Sequence, residues 1–239
     1  MTTLLIATRN AHKVGEIQAI LGNDYCCLTL KDFPDAPPVI EDAETFVGNA
    51  MKKSDSLANW LAANAKLKTQ NLKLDFVLAD DSGLEVDALH GAPGVHSARF
   101  AALDKAENSA DADNNAKLMR LLKDVAPENR TARFRCVIAL VSVPDHRIEN
   151  ASPVCFADDF PTQIFDGACE GIIQLSASGA KGFGYDPLFV PNGFTKSFAE
   201  LGEDVKNQIS HRAKALAQLK DFLRGKLPTS EDSKRPEVS

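Results

Sequence analysis

The sequence of 239 residues has no long run of apolar residues. Apolar runs such as the one from Cys136 to Val143 fall far short of the roughly 20 residues that a membrane-spanning helix requires. Met1 leads directly into a strand-like segment rather than into a charged and then apolar leader. We therefore expect neither a membrane span nor a secretion signal.

Cysteine pairs and zinc-finger spacings are also missing. The cysteines are odd in number, form no C-x-x-C pair and have no histidine at zinc-ligand spacing; they are Cys26, Cys27, Cys136, Cys155 and Cys169. Reduced thiols in a cytoplasmic protein are the simplest interpretation.

Positive charge is in the minority, with a net charge of -6 and a pI near 5.4. This argues against a nucleic-acid surface that neutralises many phosphates, although a local group of lysines can still bind a small anion. No G-x-x-x-x-G-K-[ST] run is present, so the chain has no P-loop. No glycine fingerprint follows the first strand, which argues against a dinucleotide-dependent oxidoreductase.

The residues that are present, 44% hydrophobic and 25% charged, are typical of a globular protein. Their pattern predicts strands that alternate with helices, and therefore an α/β fold. We expect one domain over residues 1–227, a connection over 64–73 and a disordered polar tail over 228–239. The predicted strands cover 4–7, 76–79 and 134–143, and residues 183–190 and 194–198 are predicted to form strand and loop. The first predicted helix ends at Gly22, and the others cover 45–61, 108–125 and 207–223.

Four segments carry candidate site residues. The first is the turn between the first strand and first helix, where free backbone N–H groups and the helix dipole favour an anion. Its residues are Thr8, Arg9, Asn10, Ala11, His12 and Lys13. Polar residues at this position also serve as ordinary helix caps, and the sequence alone leaves both interpretations open.

The second segment is Ala79-Asp80-Asp81-Ser82-Gly83, which we interpret as two acids at the end of a buried strand before a sharp turn. Adjacent carboxylates can hold magnesium and activate water, but the same residues are common in plain turns. Glu41 belongs to an acidic cluster that either favours the start of a helix or supplies a metal ligand. Lys53, two turns into that helix, could face the same site.

The third segment, 181–187, contains Phe183, Gly184, Tyr185 and Asp186, where glycines allow close approach and aromatic rings can stack on a base. A structural glycine-aromatic loop is the alternative. The fourth segment contains Lys206 and then Ser210-His211-Arg212 at the start of the last helix, where Arg212 can present several donors to a carbonyl or phosphate. Ordinary helix-start residues are again the alternative.

The order of these segments closely resembles that of the inosine-triphosphate pyrophosphatase family, also called Ham1-like. The resemblance covers residues 4 to about 219. Its most specific pieces are A-T-R-N-A-H-K-V-G-E-I at 7–17, T-F-V-G-N-A-M-K-K at 45–53, L-A-D-D-S-G-L-E-V-D at 78–87, F-R-C-V at 134–137, G-F-G-Y-D-P-L-F at 182–189 and S-H-R-A-K-A-L at 210–216.

The resemblance implies two lobes around a long mixed sheet, an active site in the cleft between them, and a homodimer. It implies Mg²⁺-dependent hydrolysis of ITP, dITP and XTP to the monophosphate and pyrophosphate. In this sequence Thr8, Asn10, Lys13 and Lys53 would bind the triphosphate, while Glu41 and Asp81 would bind magnesium. Asp81 would also be the base for water, Asp80 would shape its field and Ser82 would contact substrate. Phe183 to Asp186 would hold the nucleoside, with Lys206, His211 and Arg212 closing over it.

Two rival functions remain at this stage. A Maf-type pyrophosphatase acting on pyrimidine or modified nucleotides would share the fold and reaction, but not the F-G-Y-D and S-H-R segments. A non-catalytic nucleotide-binding protein would be expected to lose its metal ligands, whereas Glu41, Asp80 and Asp81 are all present.

Overall fold

The computed structural model describes residues 1–64, 74–102, 108–143 and 162–226. Its centre is a mixed sheet of six strands in the order β2-β1-β3-β4-β5-β6. Strand β1 pairs in parallel with β2 and with β3, and the pairs β3–β4, β4–β5 and β5–β6 are antiparallel. The strands are β1 (Thr2–Ile6), β2 (Tyr25–Thr29), β3 (Phe76–Val86), β4 (Thr131–Ser142), β5 (Gln163–Ile173) and β6 (Phe189–Pro191).

Helices flank both faces of this sheet. They are α1 (Ala11–Leu21), α2 (Phe46–Ala63), α3 (Asp111–Leu121), α4 (Phe198–Leu201), α5 (Glu203–Ile209) and α6 (His211–Lys226). Short 3₁₀ segments include Gly94–Ala102, which is kinked at Arg99. The order of elements confirms the predicted α/β class.

Three main apolar clusters hold the layers together. On one face of the parallel half, α1 and α6 pack on the sheet through Ile17 and Leu219. On its other face α2 packs through Leu57 and Leu61. The third cluster surrounds Phe134 at the far end of the sheet, and also contains residues of α3 and α4. The long strands β3 and β4 contribute residues to all three clusters and so join them, and residues of both strands line a cleft.

The predicted turn at Asp80 to Gly83 is wrong. Strand β3 continues through it to Val86, and Asp80 and Asp81 pair with Ile138 and Val137 of β4. Pairing along the eleven residues of β3 outweighs the turn preference of this sequence. Gly83 is needed for space instead, since a Cβ there would lie 2.4 Å from Gly94 O.

Several boundaries also differ from the predictions. The helix expected over 207–223 is two helices, because Ser210 adopts an extended conformation between α5 and α6. The apolar pattern did not predict β2 or β5. The strand expected around 183–190 is only β6, preceded by a glycine-containing loop.

Three predictions fall on other parts of the chain. The connection predicted over 64–73 lies, except for Asn64, outside the described residues, as do Cys155 and the tail over 228–239. Cys26, Cys27, Cys136 and Cys169 are free thiols. Among the described helices, none combines the length and the apolar character needed to cross a membrane.

Candidate active site

The polar turn between β1 and α1 is a well-formed helix cap. Asn10 Oδ1 accepts hydrogen bonds from the backbone N–H groups of His12 and Lys13 at 3.0 and 3.2 Å. Thr8 Oγ1 in turn accepts the N–H of Asn10 at 3.2 Å. Thr8, Asn10 and Lys13 also line the cleft. Capping therefore does not exclude anion binding, because the positive end of the helix faces the cleft.

Arg9 and Lys13 tie this turn to other segments. The Arg9 guanidinium donates to Ala36 O at 2.8 Å and so holds the loop between β2 and α2 against the turn. Lys13 Nζ lies 2.7 Å from Asp80 Oδ1, although its side chain keeps 15% exposure. Lys13 therefore reaches the floor of the cleft while it remains accessible to an anion.

Asp80 is almost completely buried and surrounded by donors. Besides Lys13, it accepts from Arg212 Nε at 3.0 Å, from Ser82 Oγ at 3.1 Å and from Cys136 Sγ at 3.0 Å. Burial alone would raise the pKa of this carboxyl, but Arg212 and Lys13 outweigh it and hold the pKa well below its usual range. A carboxylate so fully paired stays ionised and acts through its charge rather than as a proton acceptor.

Asp81 points to the opposite side of β3 and has fewer partners. Its Oδ1 lies 3.1 Å from Lys53 Nζ, and its Oδ2 accepts from Asn49 Nδ2 at 3.3 Å. Burial raises the pKa of Asp81, and the charge of Glu41 raises it further against the opposing effect of Lys53 and Lys13. A raised pKa at the edge of a cleft suits a carboxylate that must take up a proton.

Lys53 joins the two acids that the sequence assigns to a metal. Its ammonium lies 2.8 Å from Glu41 Oε2 and also donates to Asp80 O at 2.8 Å. Burial disfavours the charged form, but Asp81 and Glu41 raise the pKa of Lys53 above its ordinary value. Burial likewise opposes ionisation of Glu41, yet Lys53 keeps the pKa of this carboxyl low.

The chemistry of this pair fits a hard cation. Glu41 and Asp81 offer carboxylate oxygens, and burial, together with the charge of Glu41, raises the pKa of Asp81. Among the described residues, no group of three or more histidine, cysteine or acidic side chains is arranged to hold a metal. Magnesium often uses only one or two carboxylates and completes its shell with water and substrate phosphates. Two acids are therefore enough for a metal that binds together with a nucleotide.

The loop before β6 forms the other end of the cleft. Gly182 and Gly184 have positive φ values of 77° and 63°, which favour glycine. Asp186 Oδ2 accepts the N–H of Phe183 at 2.9 Å and the ammonium of Lys206 at 2.5 Å. The hydroxyl of Tyr185 donates to Ser97 O at 2.9 Å in a buried position. Tyr185 is thus mainly an anchor of the loop.

Phe183 is an aromatic surface that other side chains already contact. The ring of His12 stacks on it at 5.1 Å with an interplanar angle of 15°. Lys206 Nζ lies 4.5 Å from its centre. Since the His12 stack leaves no room for a base between the two rings, a base that stacks on that face of Phe183 must displace His12.

The last helix begins with two buried polar residues. Arg212 donates to Asp80, to Glu16 and to Ser82 Oγ, the last at 2.8 Å. The His211 ring stacks on Phe134 at 4.9 Å. Burial, reinforced by Arg212 and Lys206, places the pKa of His211 well below its usual value, so the ring is neutral. Its Nδ1 has no hydrogen-bond partner among the described residues.

These residues meet in one cleft of about 710 Å³. The β1–α1 turn, the segment before α2, α2 and Asp81 supply Thr8, Asn10, Lys13, Glu41, Lys53 and Asp81; Ser82, the loop before β6, α5 and α6 supply Ser82, Phe183, Gly184, Tyr185, Asp186, Lys206, His211 and Arg212. Arg9 also lines the cleft. Ala11, His12 and Asp80 do not line it, and Asp80 lies directly behind its floor. The structure thus brings all four sequence segments together.

The sequence profile of the Ham1 family matches residues 4–222. The chain belongs to the Ham1 family. This confirms the family predicted from the ordered motifs. A Geobacter sulfurreducens protein named dITP/XTP pyrophosphatase is 46% identical over 224 residues, which are 93% of this chain and 97% of that protein. A protein of the same name from Desulforamulus reducens is 43% identical, over 92% of this chain and 94% of its own length.

Solved structures of the Ham1 family share the fold. The Staphylococcus aureus Ham1 protein superposes with a TM-score of 0.71 and 34% identity, over 95% of this chain and all of that one. A HAM1 protein from Coxiella burnetii superposes with a TM-score of 0.73 and 34% identity, over 94% of this chain and all of that one. The mixed sheet with flanking helices is therefore the Ham1-family fold.

Within this Ham1-family fold, sequence analysis missed three polar residues beside the cleft, of which Glu16 and Asn49 are buried and Asp111 is exposed. Glu16 Oε1 accepts from Lys206 at 2.8 Å, and its other oxygen accepts from Arg212. Asn49 exchanges hydrogen bonds with both backbone groups of Ala43. Asp111 and Gly184 are also bonded. Glu16 and Asn49 both lie inside quoted motifs, but neither stands at an apolar position of its predicted helix, so the motif match was the signal available.

Proposed function

We propose that the protein hydrolyses non-standard purine nucleoside triphosphates, namely dITP, ITP and XTP, to the monophosphate and pyrophosphate. The observation that carries this proposal is the 46% identity, over nearly the whole of both chains, to a protein named dITP/XTP pyrophosphatase. The cleft supports it, since cationic groups lie at one end and an aromatic ring with buried polar groups lies at the other.

The phosphate end would use the β1–α1 turn. The side-chain N–H₂ of Asn10 and the hydroxyl of Thr8 would supply neutral donors, the positive end of α1 would add its dipole, and Lys13 and Lys53 would supply positive charge. Lys53 lies between Glu41 and Asp81. Its three donors already bind Glu41, Asp81 and Asp80 O. Lys53 would therefore keep the two acids together and act on the phosphates through its charge.

The reaction itself would take place at Asp81. We propose that Asp81 orients a water molecule and accepts its proton while the water oxygen bonds to the α-phosphorus. The bond between that phosphorus and the bridging oxygen breaks, and pyrophosphate leaves. Mg²⁺ held by Glu41 and Asp81 would supply charge neutralisation on the phosphates. Asp80 would remain ionised behind the cleft and position Lys13 and Arg212.

The base end offers a physical reason for selecting 6-oxo purines. Lys206 and Arg212 are donors without acceptor capacity. A carbonyl oxygen at position 6 can accept from such groups, whereas the amino group of adenine would leave them unpaired in a buried place. Most of their donors already bind Glu16, Asp80 and Asp186. The remaining donors are therefore few and fixed in direction.

We also propose that the protein is a cytoplasmic homodimer, as the family resemblance implies. Sedimentation or light scattering at micromolar concentration gives the mass. A monomer mass at every concentration tested would contradict the dimer.

The test of the proposed function is pyrophosphate release with Mg²⁺ across ITP, dITP, XTP, GTP, ATP, UTP and dTTP. We expect turnover of the first three, and a loss of about 10³-fold in kcat for Asp81→Asn, because a general base contributes about that factor. Asp42→Asn is the matched control. It removes an exposed acid beside Glu41 and should keep kcat.

Other outcomes have definite meanings. Preference for UTP or dTTP would assign the protein to the pyrimidine class. Binding without turnover of any nucleotide would make it a non-catalytic nucleotide-binding protein. Full activity of Asp81→Asn would remove Asp81 from the mechanism.

A further inference from the structure

Gly184 is held through both of its peptide groups by one helix. Its N–H donates to Asp111 Oδ2 at 2.6 Å, and its carbonyl oxygen accepts from Asn115 Nδ2 at 3.0 Å. Asp111 and Asn115 are four residues apart on α3 and so lie on the same face of the helix. The two side chains therefore bind a single residue of the loop from one side.

The loop needs such external bonds because its own backbone is permissive. Gly182 and Gly184 flank Phe183, and glycine adopts many conformations at little cost. At Gly184 a Cβ would meet nothing within 4 Å, so the glycine serves its positive φ rather than a close contact. The bonds to Gly184 orient the peptide that joins it to Phe183 and the peptide that joins it to Tyr185.

Asn115 shows that the contact has a cost. Its Oδ1 is buried and has no hydrogen-bond partner among the described residues. A buried amide oxygen without a partner is unfavourable. In this orientation Asn115 gives the Gly184 carbonyl a hydrogen bond and leaves its own Oδ1 unpaired. This arrangement is expected if the bond to the loop matters more than a partner for Oδ1.

We propose that Asp111 and Asn115 are positioning residues for the nucleoside end of the cleft. They fix the Gly184 peptides, and through them the orientation of the Phe183 ring on which the base would stack. Neither residue has to touch the phosphates. The inference rests on the proposed function, because it assumes that the loop from Phe183 to Asp186 holds a purine nucleoside.

The experiment separates the two ends of the cleft. Calorimetry with Mg²⁺ measures the Kd of IMP, which needs the nucleoside end, and of pyrophosphate, which needs only the phosphate end. In Asp111→Ala and in Asn115→Ala we expect the Kd of IMP to rise about tenfold, as for loss of one hydrogen bond. The Kd of pyrophosphate should stay within about twofold, since no phosphate-binding residue has changed.

Two further variants make the result specific to these bonds. Asp113→Ala removes another exposed carboxylate from the same first turn of α3, and so has a similar helix-dipole effect without a bond to the loop. It should leave both constants unchanged. Asp111→Asn keeps an acceptor oxygen and should restore most of the affinity for IMP. The double variant should weaken IMP by less than the product of the single effects, because both bonds hold one residue.

Two results would overturn the inference alone: an unchanged Kd of IMP in both single variants, or equal increases in the constants of IMP and pyrophosphate. If the wild type instead binds neither ligand and hydrolyses no purine triphosphate, the proposed function fails, and the inference fails with it.

Discussion

Asp80 and Asp81 are neighbours in the chain, yet they lie in two regions with opposite electrostatics. Asp80 faces a closed network in which Lys13 and Arg212 pair with it, while Glu16 pairs with Lys206 and Arg212. Asp81 faces the open cleft, where Glu41 repels it and Lys53 is the nearest cation. Because side chains alternate along a strand, one step along β3 separates these environments.

The different surroundings of Asp80 and Asp81 suit the two acids to different tasks. In the closed network burial opposes the charge of Asp80, but Arg212 and Lys13 hold its pKa well below its usual range, so this carboxylate stays ionised and holds its position. In the open pair burial and repulsion raise the pKa of Asp81, so it can accept a proton or a cation. The closed network thus acts as the support, and the open pair carries the reactive groups.

The largest effect should come from breaking the closed network at Asp80. Asp80→Asn should lower the free energy of unfolding by about 3 kcal/mol, because it leaves Arg212 and Lys13 buried or half-buried with one anion fewer. Urea denaturation at neutral pH measures the change. Asp81→Asn is the matched control on the same strand. It should change stability by less than about 1 kcal/mol, because burial and then the repulsion by Glu41 oppose the charge of Asp81, and their removal offsets the lost contact with Lys53. Equal losses of unfolding free energy in the two variants would contradict the assignment of Asp80 to a supporting network and Asp81 to the open cleft.

A smaller effect should come from Lys13, which connects the two regions. Lys13→Ala should raise the KM for ITP about tenfold, because one positive charge facing the phosphates is lost. It should weaken pyrophosphate binding more than IMP binding, the reverse of the result expected for Asp111→Ala. Lys52→Ala is the control, since Lys52 is exposed and pairs with Asp42. An unchanged KM in Lys13→Ala would leave Lys13 with only its structural contact to Asp80.

The sequence predicted the open region better than the closed one. Thr8, Asn10, Lys13 and Asp81 are polar residues at helix starts and on a buried strand, and such positions follow from local patterns. The path of β3 through Asp80-Asp81-Ser82-Gly83 did not follow, because these residues favour turns until β4 is there to pair with them.

The closed network could not be predicted because its partners are far apart in the chain. Glu16 and Arg212 are separated by 196 positions. The apolar spacing of α1 describes Val14, Ile17 and Leu21, and it gives no reason for a buried glutamate between them. Only the packing of α1 against α6 supplies one.

The smallest effect concerns His211, the neutral member of the closed network. Its ring contacts Phe134, and the charged groups around it are Arg212, Lys206, Asp80 and Lys13. Burial first, and then Arg212 and Lys206, place the pKa of His211 well below its usual value.

The unfolded chain therefore binds a proton at this residue near pH 6.5 that the folded protein does not bind. The contribution of His211 to the free energy of unfolding should therefore be fully present above that pH and be lost as the pH falls below it. We expect a loss of about 1 kcal/mol between pH 7 and pH 5.5 from this residue. Urea denaturation across that range should show a smaller slope in His211→Gln than in the wild type. Equal slopes would mean that the folded protein protonates His211 as readily as the unfolded chain, and the closed network would then hold a charge rather than exclude one.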